Sequence, residues 1–350
     1  MTPRTLLALT LAVATVPAFA ADPAPAKPAA GATAPKPKPP EKPKPPAYTT
    51  VEQAGPDYAL QGEYGAAEAD KAAFGVQVIS LGDGKFKAVV FPGGLPGAGW
   101  SGDKAGRVML EGKRDGATGP LALSGKGFAA TTTDGKSLAV KTDQGQSVEL
   151  AKVERKSPTI GAKPPEGAVV LFDGTSLDKW QGGKIVDGNL AVQGGGEPKT
   201  KDKFGDFTMH VEFMSPFMPT AGGQGRGNSG VYIQNRYEVQ VLDSFALEGV
   251  DNECGGLYKN AAPKVNMCLP PLQWQTYDID FTAAKWNGDQ KTANAKITVR
   301  HNGVVIHQDQ EIKNSTGGGE KEAPTPGFIK FQDHGNPVFY RNVWIVSRNH

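Results

Sequence analysis

Glycine is the residue that most constrains this chain. Its 45 glycines are scattered without a fixed period, and each costs a helix interior about 1 kcal/mol, so long helices have little room. Between them, apolar and polar side chains alternate in short runs, as half-buried strands require, and helix-period stretches are few. The chain therefore reads as all-β. Its turns are legible too: "SLGDGKF" (80–86) and "TTDGKSL" (132–138) place Asp-Gly between alternating runs, and Asn302-Gly303 does the same inside "AKITVRHNGVVIHQ". Such pairs supply the positive φ angles of a tight hairpin.

The first 47 residues follow other rules. Residues 1–20, "MTPRTLLALTLAVATVPAFA", carry one basic residue, an apolar run and a small-x-small end, the pattern of a secretory signal cleaved after Ala20. The protein is expected to be exported, to the periplasm or outside the cell. Residues 21–47 are almost only Pro, Ala, Lys and Gly, too poor in large apolar groups to fold and suited to an extended spacer. The formal net charge is +2, of which Arg4 contributes +1 and residues 21–47 contribute +3, leaving −2 for the remainder. The folded part is not basic, which argues against a nucleic-acid partner; the Lys-rich spacer is a candidate for weak contact with an anionic cell envelope. No later stretch is apolar enough to span a membrane.

Composition divides the rest into a small all-β barrel or sandwich at 48–153, a Pro/Gly linker at 154–167, and a second β domain at 168–350. The about ten strands of that second domain fit a two-sheet jelly-roll sandwich. Cysteine occurs only at 254 and 268. In an oxidising compartment the first expectation is a Cys254–Cys268 disulfide, and closing a loop of about 15 residues contributes about 3 kcal/mol on chain-entropy grounds. No cluster of His, Glu or Asp converges in 48–153, so the chemistry is sought in the second domain.

Strand alternation sorts the faces there. In "FTMHVEFM", Phe207, Met209, Val211 and Phe213 point inward and Thr208, His210 and Glu212 outward. In "FIKFQDHG", Ile329 and Phe331 point inward and Lys330, Gln332 and His334 outward. "RYEVQVLDSF" (236–245) alternates until Leu242 takes a polar beat. One extra residue, a β-bulge at Val241-Leu242, would return Asp243 to the outer face beside Glu238 and Gln240. Laminarinase-type β-glucanases use the same bulged spacing with acids at all three places; glutamine at 240 departs from it and weakens a two-carboxylate glycosidase reading. If these strands neighbour one another in a concave sheet, they build a polar strip suited to sugars, where amides and carboxylates meet hydroxyls.

Five segments in order, "LFDGTSLDKW", "GNSGVYIQNRYEVQVLDSF", "ECGGLY", "WQTYDIDF" and "FQDHGNPVFYRNVWI", resemble the 3-keto-disaccharide hydrolase family over roughly residues 168–348. The resemblance implies a concanavalin A-like jelly roll acting on glycosides oxidised to a ketone at C3. Such a ketone acidifies the C2 proton: a base removes it, the enolate expels the aglycone from C1, and water adds to the product. The expected parts are Glu238 or His334 as base and Asp243 orienting or protonating. Arg226, Asn228, Gln240, Lys330 and Gln332 would hold hydroxyls and the enolate oxygen, with Tyr258 and Trp274 as stacking rings. No cofactor is evident; a divalent metal on His334 and Glu238 would polarise the ketone, though nothing in the spacing requires one. The competing reading is a non-catalytic, lectin-like carbohydrate-binding protein of the cell envelope, since one fold hosts both. An ordinary glycosidase stands third.

Overall fold

The computed structural model describes residues 44–65 and 73–348. The signal at 1–20 and all but the last four residues of the 21–47 spacer lie outside them. Lys44–His350 forms one compact unit. Apart from two short helices, Val51–Ala54 and Pro56–Leu60, and a 3-10 turn at Gly223–Gly225, its described elements are strands, so the fold class is the all-β one that the alternation predicts.

Eight antiparallel strands, from Gly62–Tyr64 to Ser147–Val153, close a barrel in which the first pairs with the last. Alternate residues such as Val76, Val78, Phe86, Leu110 and Leu138 fill its interior. The glycine turns form as expected. Gly82, Asp83 and Gly84 take φ of 77, 53 and 68°, and Asn302 and Gly303 take 51 and 81°, the left-handed region that tight hairpins need.

The second β region is a sandwich. One sheet has five strands in the order Trp180–Gln181, Lys199–Phe204, Gly327–Phe331, Ser229–Ile233 and Tyr237–Val241. The other has eight: Lys184–Val186, Asn189–Ala191, Phe339–Ser347, Phe207–Met214, Gln275–Thr282, Ala295–His301 and Val304–Ile312 in order, with Val169–Phe172 paired to Phe339–Ser347. Between the sheets one core forms, in which Val231, Val239 and Phe331 of the first share a cluster with Met209, Tyr277 and Ile345 of the second. Among the described residues no helix is long and apolar enough to cross a membrane.

Barrel and sandwich meet along an apolar seam. Ile79, Val89 and Phe91 on the barrel's outer surface pack with Phe245 and Ala246, which follow the Tyr237–Val241 strand. Tyr48, which composition assigns to the first β region, pairs with Phe217 of the sandwich. The linker lies on the eight-stranded sheet, where Thr159 Oγ1 donates to Asp278 Oδ2 at 2.7 Å and Gly161 N–H to Glu212 Oε1 at 2.6 Å.

The expected disulfide is corrected. Cys254 and Cys268 are both buried and free, neighbours in the core held as thiols. Cys254 Sγ sits 3.2 Å from the Tyr277 hydroxyl, and Cys268 donates to the Leu242 carbonyl at 3.6 Å. Each thiol is also the other's hydrogen-bond neighbour.

Candidate functional site

The hairpin of Ser229–Ile233 and Tyr237–Val241 sets the site. It turns through Gln234 and Asn235, both at φ 54°, and this pairs Tyr232 with Glu238 and Gly230 with Gln240. On the other side Tyr232 pairs with Lys330, and Gln332 N–H donates to the Gly230 carbonyl at 3.0 Å. Two rows result across three strands: Lys330, Tyr232, Glu238, then Gln332, Gly230, Gln240. This is the polar strip. His210 and Glu212, outward in the sequence, belong to the opposite sheet.

Glu238 is 3 % exposed. Its Oε2 accepts the Tyr232 hydroxyl at 3.0 Å, and its Oε1 hangs over Gly230, where a Cβ would stand 2.2 Å away; only glycine leaves that space. Lys330 Nζ lies 4.2 Å from the Tyr232 ring centroid, donates to Gly318 O at 3.2 Å and faces Glu197 Oε2 at 3.4 Å. Burial drives the Glu238 carboxyl up to about 7, and the Tyr232 hydrogen bond and Lys330 charge offset this only in part. A carboxyl so placed both takes and releases a proton near neutrality.

The strip is not the open, solvated face that alternation alone suggests. Tyr258 N–H donates to Glu238 O at 3.1 Å and Gly255 N–H to Gln240 O at 3.0 Å, while Glu238 N–H reaches Thr316 Oγ1 at 3.1 Å. These loop segments close the free edge of the sheet, leaving Tyr232, Glu238 and Gln240 all buried. Beside them Gln240 Nε2 donates to Gln224 Oε1 at 3.1 Å and Asn228 Nδ2 to Gln224 O at 2.7 Å. The buried oxygens Gln240 Oε1 and Asn228 Oδ1 accept nothing, so two acceptors face unmet demand for donors such as hydroxyls.

Of the residues expected from sequence, Glu238, Gln240, Lys330, Gln332, Asn228 and Tyr258 come together here. Asp243 does not join them as a free acid, which corrects the bulge expectation. Val241 and Leu242 both turn into the core. The Ser229–Val241 register would set Gly227 opposite Asp243; instead Asp243 N–H donates to Arg226 O at 3.1 Å, and Gly227 stands at φ 61°. The pairing slips on the Gly227 side. Asp243 is 4 % exposed, with Oδ2 taking Arg226 Nε at 2.7 Å and Oδ1 taking Phe245 N–H at 3.4 Å. Arg226 also donates to the Pro219 carbonyl and, at 3.4 Å, to Ser80 O of the barrel, so both expected site residues brace the seam.

His334 is exposed and lines a separate cavity of about 390 Å³ with Gln193 and Met218. Trp274 precedes a strand of the other sheet and lies against Arg341 in the seam. Among the described residues no three His, Cys, Asp or Glu side chains gather as metal ligands. Alternation puts Tyr232 on the outer face without giving it a role, and sequence reasoning missed Gly230 and Gln224. The roles of Tyr232 and Gly230 were recoverable: a turn at Gln234-Asn235 fixes the register that puts Tyr232 opposite Glu238 and Gly230 opposite Gln240.

Comparison with known proteins completes the picture. Three crystal structures from Parabacteroides distasonis ATCC 8503, each named a "putative glycosyl hydrolase", are similar at 35, 19 and 23 % identity, with TM-scores of 0.49, 0.38 and 0.38. The matches cover 53, 53 and 52 % of this chain and 85, 95 and 99 % of those chains. No curated protein matches. Residues 167–346, which take in the sandwich and leave out the barrel, match the family model described as a 3-keto-alpha-glucoside-1,2-lyase-like domain.

Proposed function

The chain belongs to the 3-keto-alpha-glucoside-1,2-lyase-like family, a carbohydrate-acting one, and from that premise we propose that it cleaves 3-keto-glucosides by elimination across C1–C2 followed by hydration. The observation that supports this most is the buried Glu238, whose carboxyl titrates at about 7 between a phenol and a lysine. A general base works best when its pKa lies near the working pH.

In this reading the Glu238 carboxylate removes the C2 proton. The electron pair moves into the C2–C3 bond and onto the C3 oxygen, where the Lys330 ammonium and the Tyr232 hydroxyl stabilise the negative charge. The C1–O bond then breaks, and the aglycone leaves with the proton Glu238 has just gained. Water adds its hydroxyl to C1 and a proton returns to C2, so the net outcome is hydrolysis to a 3-keto sugar. Gln240 Oε1 and Asn228 Oδ1 accept from sugar hydroxyls, with Gln332 in the same row and the Tyr258 ring at the edge. Asp243, taken by Arg226, acts as a positioning residue. The 1–20 segment supports action outside the cytoplasm.

The test is aglycone release from 3-keto-trehalose followed by chromatography, with a C2-deuterated substrate alongside. Turnover slowed by the C2 deuterium, with unoxidised trehalose inert, supports the reading. No turnover, joined to tight binding of unoxidised glycans, favours the lectin-like alternative.

A further inference from the structure

We propose that the seam between barrel and sandwich holds a second binding site, for an acidic saccharide: a pyranose ring carrying a carboxylate. A cavity of about 430 Å³ opens there, its wall including Trp274, Arg341, Gln61, Lys156, Ile160 and Leu272. It draws on both β regions and is separate from the Glu238 row, so it does not depend on the chemistry assigned to that row.

Arg341 is the centre of the argument. Its Cζ lies 4.0 Å from the Trp274 ring centroid, and its Nε donates to Glu212 Oε2 at 2.7 Å. The tether fixes the guanidinium plane while both Nη groups have no hydrogen-bond partner among the described residues, and the side chain stays 36 % exposed. A held fork of two donors matches the two oxygens of a carboxylate. The guanidinium covers one face of the indole, and the rest of the ring lines the cavity as an apolar surface of the kind that packs against sugar C–H groups.

Gln61 supplies an independent observation. It is 3 % exposed; its Oε1 accepts Ser80 N–H at 2.9 Å, yet its Nε2 is a buried donor without a partner. A donor left so is unfavourable, and a ring hydroxyl at the cavity wall would pair it. Charge selects the anionic sugar over the neutral one. Arg155 is paired with Glu63 and Arg341 with Glu212, which leaves Lys152 and Lys156 of the wall against Glu154, its single acid, and so a net positive charge.

The experiment titrates the full chain with D-glucuronate, D-glucose and benzoate by calorimetry. Glucuronate is expected to bind with a millimolar dissociation constant, glucose at least about tenfold more weakly for want of the charge-assisted pair, and benzoate more weakly than glucuronate. Trp274→Ala and Lys156→Glu each weaken glucuronate binding, and Lys156→Glu leaves 3-keto-trehalose turnover as it was. Lys156→Glu is an exposed change, so it keeps the test open should Trp274→Ala not fold. Absent glucuronate binding, equal affinity for glucose, a preference for benzoate, or binding that survives both substitutions would each overturn the proposal.

Discussion

Two glutamates, one on the outer face of each sheet of the sandwich, expose almost no surface, Glu238 lying the deeper, and titrate far apart. Glu212 is fully buried and is met by Arg341 Nε at 2.7 Å, Asn342 Nδ2 at 2.9 Å and Gly161 N–H at 2.6 Å, with His210 Nε2 at 3.6 Å. Burial is the largest single influence and pushes its carboxyl up, yet His210 and those donors together outweigh it and hold the group at about 2. Glu238 has one hydrogen-bonding hydroxyl and one cation near its carboxylate, and burial wins, at about 7. The difference teaches that burial alone makes no catalytic acid or base. Donors that saturate a carboxylate turn it into a clamp, here one that holds the linker at Gly161; donors that are sparse leave it able to take a proton.

Removing each carboxylate should therefore produce opposite phenotypes. Glu238→Gln is expected to lower kcat on 3-keto-trehalose by about 10²- to 10⁴-fold, the usual range for a lost general base, while thermal melting at neutral pH stays as high or rises. Equal turnover by the variant would move the base elsewhere. Glu212→Gln should lower folding stability by on the order of 3 kcal/mol, because Arg341 loses its counter-charge, while His210 keeps Asp278 at 2.6 Å. Denaturant unfolding reads this, and activity per folded molecule should change little. If the two variants melt alike, the contrast is wrong.

The same contrast has a pH form with a worked sign. Glu212 titrates below its ordinary value of 4.5 in the folded protein, so the stability it contributes is present above 4.5 and is lost as pH falls toward 2. Glu238 titrates above 4.5, so it weakens the fold as pH rises from 4.5 to 7. The Glu238→Gln variant should gain on the parent as pH rises from 4.5 to 7, and the Glu212→Gln variant should lose less than the parent between pH 4.5 and 2. Melting temperatures taken across both windows check the two signs.

The fold was largely legible and the site only partly so, for a physical reason. Alternation and Asp-Gly or Asn-Gly turns are local signals, and they found the hairpins at 80–86 and 302–303 and the inward faces of the strands around Glu238 and Ile329. Which outward residues become neighbours is decided by sheet order, which is not local. His210 and Lys330 read alike in the sequence, but one strand joins the eight-stranded sheet and the other the five-stranded one. Asp243 failed for a related reason: the pairing can slip on either partner, and Gly227, where it does so, lies in the loop just before the strand opposite. The two cysteines, expected to bond covalently, are hydrogen-bond neighbours with free thiols.

The smallest effect sharpens the comparison most, because it changes donor number at Glu238 by one and leaves burial alone. The Tyr232 hydroxyl is the hydrogen bond that holds the Glu238 carboxyl down against burial. Tyr232→Phe removes it, keeps the ring and its contact with Lys330, and should raise the carboxyl further. The rate of 3-keto-trehalose cleavage would then climb with pH through a midpoint displaced to higher pH than in the parent, and at pH 7 it would fall by roughly severalfold as less of the base is ionised. A midpoint displaced downward, or not at all with the rate reduced at every pH, would mean that the phenol acts on the enolate alone and that the count of donors does not set the poise of this carboxylate.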